Sequence, residues 1–377
     1  MQPLGLNGDI LVGGHRFHVQ TTYSAGNEKI ISHVFDQGRI IDQRELSCAG
    51  EPAPDSLPKK LKAVHFDMIS EMELLFFMAE KVRRAKHAGS CIRLGQVFIE
   101  KNLFVDALAV LQIAQELTPD APEVCLYRGI ALLRQNELDQ AEEMLRHGLQ
   151  RAPSYADLHY YLGVTCLEQH HLLAALSEFE TALGINPKFF WAKFHLALGL
   201  LQTLHSSFET ENNLPPPSIR LKRAQEHLAG VLQTPSTIKD VSKLQGVLDL
   251  MRMGEMTAAL DELQNLRREA LTEFSFGFEN EFYLKFIYGG KSRDEAFVER
   301  YAERLRAAMQ ETPEYADLHN HLGIAYLIQC RNLFLRALDE FRAALKINPN
   351  YKRAERNLKI SENDGKGFLI LLRALLM

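Results

Sequence analysis

Residues 122–155, PEVCLYRGIALLRQNELDQAEEMLRHGLQRAPSY, hold two helical patterns joined by a polar break. Leu126, Ile130 and Leu133 recur at helical spacing, and Ala141, Met144, Leu145 and Leu149 do so again after RQNELDQ. Two antiparallel helices account for both runs. Gly129 and Ala141 are small where one helix must approach the other, and Pro153 cannot continue the second helix, so it ends the unit. The same marks recur on either side. Gly95, Gly129 and Gly163 stand 34 residues apart, as do Ala107, Ala141 and Ala175, and Pro119, Pro153 and Pro187. Three residue types in phase at one period predict a solenoid, whose stacked units bury one another's apolar faces and leave an extended curved surface.

The unit at 88–121 repeats the logic with Leu94, Phe98, Leu111 and Ala114, and the unit at 156–189 with Leu162, Phe179 and Ala182. These residues resemble the tetratricopeptide repeat, a 34-residue helix–turn–helix unit with small residues and a closing proline at these positions. A fourth unit, 190–237, carries Leu196, Ala197 and Leu200. Its second helix resumes near Arg223, Ala224 and Leu228, after the insertion His205–Ser218 with its three prolines, which reads as a solvated loop or a partner contact. A fifth unit, 316–351, opens with YADLHNHLG at 315–323, nearly a copy of YADLHYYLG at 155–163. Its Ala337, Phe341, Ala344 and Pro349 come two residues late, which predicts a longer turn between its helices.

Between these lie degenerate helices over 240–312, where Gly246 and Ala258 have the spacing of one drifted unit and Phe297–Pro313 resembles a lone second helix. The aromatic run Phe274, Phe276, Phe278, Phe282, Tyr283, Phe286 and Tyr288 reads as core of a degenerate unit or as a recognition element. Capping helices are expected over 352–377, with Gly365-Lys366-Gly367 as a break before the last. The apolar tail GFLILLRALLM is too short to span a bilayer; it reads as docking on the solenoid end, self-associating or touching a membrane surface.

Residues 1–50 are different. GDILVGGHRFHVQTTYS and EKIISHVFDQGRIIDQRE are rich in β-branched and aromatic residues, with turn signals at Gly13-Gly14, Ala25-Gly26-Asn27 and Asp36-Gln37-Gly38. Phe17, Val19 and Thr21 alternate with His18, Gln20 and Thr22, so three or four short antiparallel strands are expected, leaning on the first helices or on a partner. FHVQTTYS followed by ISHVFDQGRII resembles β modules placed before repeat arrays in some bacterial proteins, some of them linked to surface polarity or motility regulation. Residues 51–65, with EPAPDSLPKK, read as a linker, and 66–377 as the solenoid. The fold class is thus mainly α: an α-solenoid behind a small antiparallel β module.

Composition narrows the function. Hydrophobic content of 46% and charged content of 24% suit a globular chain, and a net charge of −5 gives no general attraction to nucleic acid. The basic run Lys81, Arg83, Arg84 and Lys86 reads as a solvated helix face, or as a patch for phosphate or an acidic partner. The start of the chain lacks a signal-peptide pattern, and no apolar run reaches membrane-spanning length. Five cysteines are scattered without a C-x-x-C pair, and Cys91, Cys125 and Cys166 read as buried, reduced thiols, which fits a cytoplasmic setting. His15 and His18, three apart on a strand, face opposite sides, and His319 and His321 diverge on a helix. Phosphate-loop, dinucleotide, nucleophile-elbow and zinc-protease motifs are absent. No catalytic residue, cofactor or metal site is expected.

The tetratricopeptide resemblance implies a concave groove lined by first helices. Residue by residue it assigns Leu126 and Ile130, then Tyr160, Val164 and Leu167, then Trp191, Phe194 and Leu198 as partner-binding positions. Ile92, Gln96, Leu126 and Ile130 stand where family members that clamp acidic carboxyl termini need Lys and Asn, so a dicarboxylate clamp is not implied. An apolar groove suits an amphipathic helix or an extended apolar peptide, unless those residues face a neighbouring helix pair or a segment of the chain itself. The reading is a non-enzymatic scaffold or adaptor for protein partners. The alternative is a regulatory subunit acting through its β module and tail, with the solenoid as spacer or oligomerisation platform.

Overall fold

The computed structural model describes residues 5–48, 57–205, 214–233, 241–272, 278–311, 316–350 and 352–376. Strands β1 (Gly5–Val12), β2 (His15–Ser24), β3 (Lys29–Asp36) and β4 (Arg39–Ser47) form an antiparallel meander in the order β1-β2-β3-β4. Its turns fall at the glycine-bearing segments marked in the sequence. Alternation along the strands puts Ile10, Phe17, Val19, Val34 and Ile41 on one face, in the same apolar core as the helices. That face lies on α1 (Leu57–Ala85), so a sheet too small to bury a core of its own borrows one. Buried Thr21 bonds Ser32 at 2.7 Å and His65 of α1 at 3.0 Å, which gives the polar atoms under the sheet their partners.

Helix α1 begins at Leu57, inside the segment read as a linker. Pro58 misled that reading: proline is tolerated in a helix's first turn, where its missing N–H would be unpaired in any case. The rest of the predicted linker, 51–56, and residues 206–213 of the predicted insertion His205–Ser218 lie outside the described residues, while Pro217 and Ser218 of that insertion begin the helix Pro217–Leu232. The sheet is keyed to α1 by Gly13. It has φ of +61°, and a Cβ added there would lie 2.0 Å from the Phe76 ring. Gly13→Ala is expected to cost about 2 kcal/mol through backbone strain and displacement of Phe76, read as a lower thermal midpoint with helix content unchanged.

Four helix pairs follow: α2 (Ala88–Glu100) with α3 (Phe104–Leu117), α4 (Pro122–Arg134) with α5 (Leu138–Arg151), α6 (Ala156–Glu168) with α7 (Leu172–Ile185), and α8 (Phe190–His205) with α9 (Pro217–Leu232). From α4 onward each first helix also packs on the pair before it, which stacks the units into a solenoid. In the first three pairs the crossing glycine is as tight as its period implies. A Cβ on Gly95, Gly129 or Gly163 would come within 2.6 Å of Leu111, Leu145 or Phe179. Ala107, Ala141 and Ala175 are fully buried. A further periodic mark sits in the turns, where Asn102, Asn136 and His170 adopt positive φ of 54°, 66° and 63°. The next N–H returns to a carbonyl five residues back at 2.8–2.9 Å, closing each first helix.

Downstream the pattern changes. Helices α10 (Val241–Met253) and α11 (Met256–Thr272) pair, but Gly246 and Ala258 are both exposed and it is Ala259 that is buried. The spacing that suggested a drifted unit therefore does not mark its contact. Helix α12 (Glu279–Ile287) precedes α13 (Glu295–Glu311), which falls on the predicted lone second helix. Phe278, Phe282, Tyr283 and Phe286 join a second apolar core with α13, while Phe274 and Phe276 lie outside the described residues. Two departures close the chain. The predicted fifth helix–turn–helix is one continuous helix, α14 (Ala316–Ile347), with no turn. Helix α15 (Lys352–Leu376) likewise runs unbroken through Gly365-Lys366-Gly367, since each helical glycine costs only about 1 kcal/mol.

Candidate protein-binding groove

The groove positions inferred from the repeat are brought together on neighbouring first helices, and they are not open. Leu126 and Ile130 on α4, Tyr160, Val164 and Leu167 on α6, and Phe194 and Leu198 on α8 are all buried; Trp191 is part-buried. The aromatic members act as packing between repeats. Tyr160 lies 4.9 Å from the Phe189 ring and 5.6 Å from His195, and Trp191 stands edge-on to Phe194 at 5.7 Å.

Helix α8 shows what covers the floor. Phe194 through Leu201 are buried without interruption, more than two turns, so no side of the helix meets water. Helix α11 packs on α8 beside α7 and α9, with Ala259, Leu263 and Leu266 buried in the same core. Its Arg267 pairs with Glu168 at the end of α6. The one-residue change of register in α11, from Ala258 to Ala259, turns its apolar stripe toward this seat.

Electrostatics at the seat follow from burial. Burial pushes the Tyr160 hydroxyl far above its ordinary value, and the Arg267 charge offsets part of that rise. Burial, reinforced by Arg267, lowers His195 to about 3. His195 is therefore neutral; its Nδ1–H donates to the Trp191 carbonyl at 3.0 Å, and Nε2 finds no partner among the described residues.

Helix α12 sits at the other end of the array, on α2. Tyr288 donates its hydroxyl proton to Ser90 Oγ at 2.9 Å, Lys81 of α1 donates to the Tyr288 carbonyl at 3.2 Å, and Arg93 lies 4.6 Å over the Tyr283 ring. Charges alternate around it. Lys285 reaches Glu281 at 2.8 Å and Glu71 at 3.6 Å, Arg44 reaches Glu71 at 2.6 Å, and Lys101 reaches Asp42 at 2.5 Å. Burial works against both Glu281 and Lys101, yet their opposite charges win: Glu281 is held below, and Lys101 above, its usual range. The segment downstream of the fourth pair thus leads from α8 back to α2. Sequence periodicity could not show this, because neither helix carries the repeat's marks.

Cys91, Cys125 and Cys166 are buried on first helices, and burial raises all three thiols, Cys166 to about 11. His15 and His18 diverge as expected: His15 Nε2 meets Asp106 at 2.9 Å, whereas His18 Nδ1 meets Asp9 at 2.8 Å. Among the described residues no cluster of three or more His, Cys, Asp or Glu is arranged to hold a metal, and no helix is long and apolar enough to cross a membrane.

With this geometry in place, the comparison with known proteins is direct. Residues 126–188 match the family model of the tetratricopeptide repeat. The chain carries a tetratricopeptide-like array. No curated protein matches it. Among solved structures, MamA is 20% identical over 46% of this chain and 92% of its own, with a TM-score of 0.36. YrrB, described as a TPR protein with an unusual peptide-binding site, is 18% identical over 52% of this chain and 94% of its own, at 0.35. A tetratricopeptide repeat protein from Parabacteroides merdae is 18% identical over 73% and 98%, also at 0.35.

Proposed function

We propose that the chain is a non-enzymatic protein-interaction scaffold whose concave groove takes an amphipathic helix, and that α11 is the occupant in this conformation. The observation that carries the reading is α8, whose residues from Phe194 to Leu201 are all buried with α7, α9 and α11 packed against it, α11 burying Ala259, Leu263 and Leu266 in the same core. A groove with an apolar floor and an ion pair at its edge, Arg267 with Glu168, is selective for a helix of that pattern. A protein partner that presents such a helix competes with α11 for Tyr160, Val164, Leu167, Trp191, Phe194 and Leu198. An internal occupant sets the threshold, because a partner must bind more tightly than α11 does to displace it. The same proposal places the protein in the reducing cytoplasm, where three buried thiols need no pairing.

The test uses the full chain and a fluorescent peptide of residues 256–272. Wild type, with its seat taken, is expected to bind the peptide weakly by anisotropy. Leu263→Glu, which expels α11, is expected to bind it at least tenfold more tightly while circular dichroism stays helical. A folded Leu263→Glu protein with no gain in peptide affinity would sink the groove assignment.

A further inference from the structure

In the first three repeats the positions occupied by Gly323, Tyr326 and Ala337 in the fifth are always interior. Their counterparts are Gly95, Gly129 and Gly163, then Phe98, Leu132 and Cys166, then Ala107, Ala141 and Ala175, and each set packs first helix on second. In α14 the same positions lie open. Gly323 has no atom within 4 Å of an added Cβ, Tyr326 is 47% exposed, and Ala337 is exposed. The reason is continuity: Cys330 stands at the turn position where Asn102, Asn136 and His170 bend the chain, and here the helix runs on. Both packing faces of one repeat are thereby strung along a single helix and cannot meet each other.

They also form one seam. Gly323, Tyr326, Cys330, Leu333 and Ala337 are separated alternately by three and four residues, the spacing that keeps one face of a helix turned to a partner helix. Leu333 is 62% exposed, and the same spacing runs on to Ile347 at 87%. The far sides of α14 are already used, by α13 through Ile324, Ala325 and Ile328 and by α15.

We propose that this seam binds the same seam of a second copy of the chain, antiparallel, with the two-fold axis at Cys330. The occupant follows from the seam itself. A first-helix face needs a second-helix face running the other way, and an antiparallel copy supplies one at each end. Turned about Cys330, Gly323 faces the copy's Ala337, small against small as in the closed repeats, and Tyr326 meets Leu333. Exposed His319 comes within a turn of the copy's Glu340, a polar pair of complementary chemistry. The contact is isologous and closes at two chains. It restores twice over the packing that one continuous helix forgoes.

Cys330 makes the axis testable, because it is the exposed one of the chain's five cysteines. The full-length protein at micromolar concentration is expected to scatter light as a dimer, and mild oxidation is expected to link it through Cys330. Cys330→Ser is expected to lose the link and keep the dimer. Leu333→Glu with Ala337→Glu, both at exposed positions, is expected to give a helical monomer. For the register, Gly323→Cys and Ala337→Cys chains, each also Cys330→Ser, are expected to be joined by a short bis-maleimide only when mixed. Three results overturn the proposal: a monomeric wild type, a dimer that survives both glutamates, or joining of Gly323→Cys chains to themselves. So does a single chain carrying Gly323→Cys, Ala337→Cys and Cys330→Ser together that stays monomeric and is joined within itself, which would mean the hairpin closes as in the other repeats.

Discussion

Gly129→Val is expected to destabilise the array by about 3 kcal/mol. A Cβ at that position would lie 2.6 Å from both Cγ and Cδ2 of Leu145, and Leu145 is fully buried, so the side chain has nowhere to go. The branched Cγ atoms of valine add to the overlap, and the helices α4 and α5 must separate. Because each repeat is stabilised by its neighbours, the loss propagates into α3 and α6. Gly246→Ala is the control. That glycine is exposed with no atom near an added Cβ, so the change is expected to stabilise by up to about 1 kcal/mol through helix propensity alone. Urea unfolding followed by circular dichroism checks both. Equal small effects at the two sites would show that the crossing at Gly129 is looser than its geometry.

The contrast between these glycines also shows what the sequence could carry. Gly95, Gly129 and Gly163 were legible because a close helix crossing admits no other residue, and a stacked array repeats that demand at a fixed interval. The sheet was legible because its alternation and turn glycines are local. What escaped were features set by a single residue or by a distant partner. Where Cys330 stands at the position of Asn102, Asn136 and His170, a 32-residue helix replaces the hairpin, and nothing in helical periodicity distinguishes them. Asn102, Asn136 and His170 held that information in phase, but a left-handed turn residue is visible only once its φ is known. The eight groove positions that the repeat implies fall on neighbouring first helices, and seven of them are buried. That they face a neighbouring helix pair or a segment of the chain stood as an alternative; that α11 packs on α8 did not, because its register shows only when Ala259 rather than Ala258 is seen to pack.

The seat of α11 is expected to make the protein acid-sensitive well above the range in which carboxylates titrate. Burial among Tyr160, Phe179, Trp191 and Phe194, together with the Arg267 charge, lowers His195 from its ordinary 6.5 to about 3. The folded state thus holds His195 neutral, while the unfolded chain takes up a proton below 6.5. Stability is therefore complete above that value and falls as the pH drops toward 3. One such histidine removes about 2 kcal/mol between about pH 7 and pH 5, and up to about 5 kcal/mol near pH 3. His195→Gln cannot titrate, so its urea midpoint is expected to fall less over the same interval by that amount, even if its baseline is lower. Identical pH slopes for the two proteins would show that His195 is not shielded. The groove enters through a third protein. Leu263→Glu lifts α11 away, lets water reach His195 and removes the Arg267 charge from its side, so its slope is expected to approach that of His195→Gln. Protonation of His195 and seating of α11 then oppose each other, and mild acid favours the open groove.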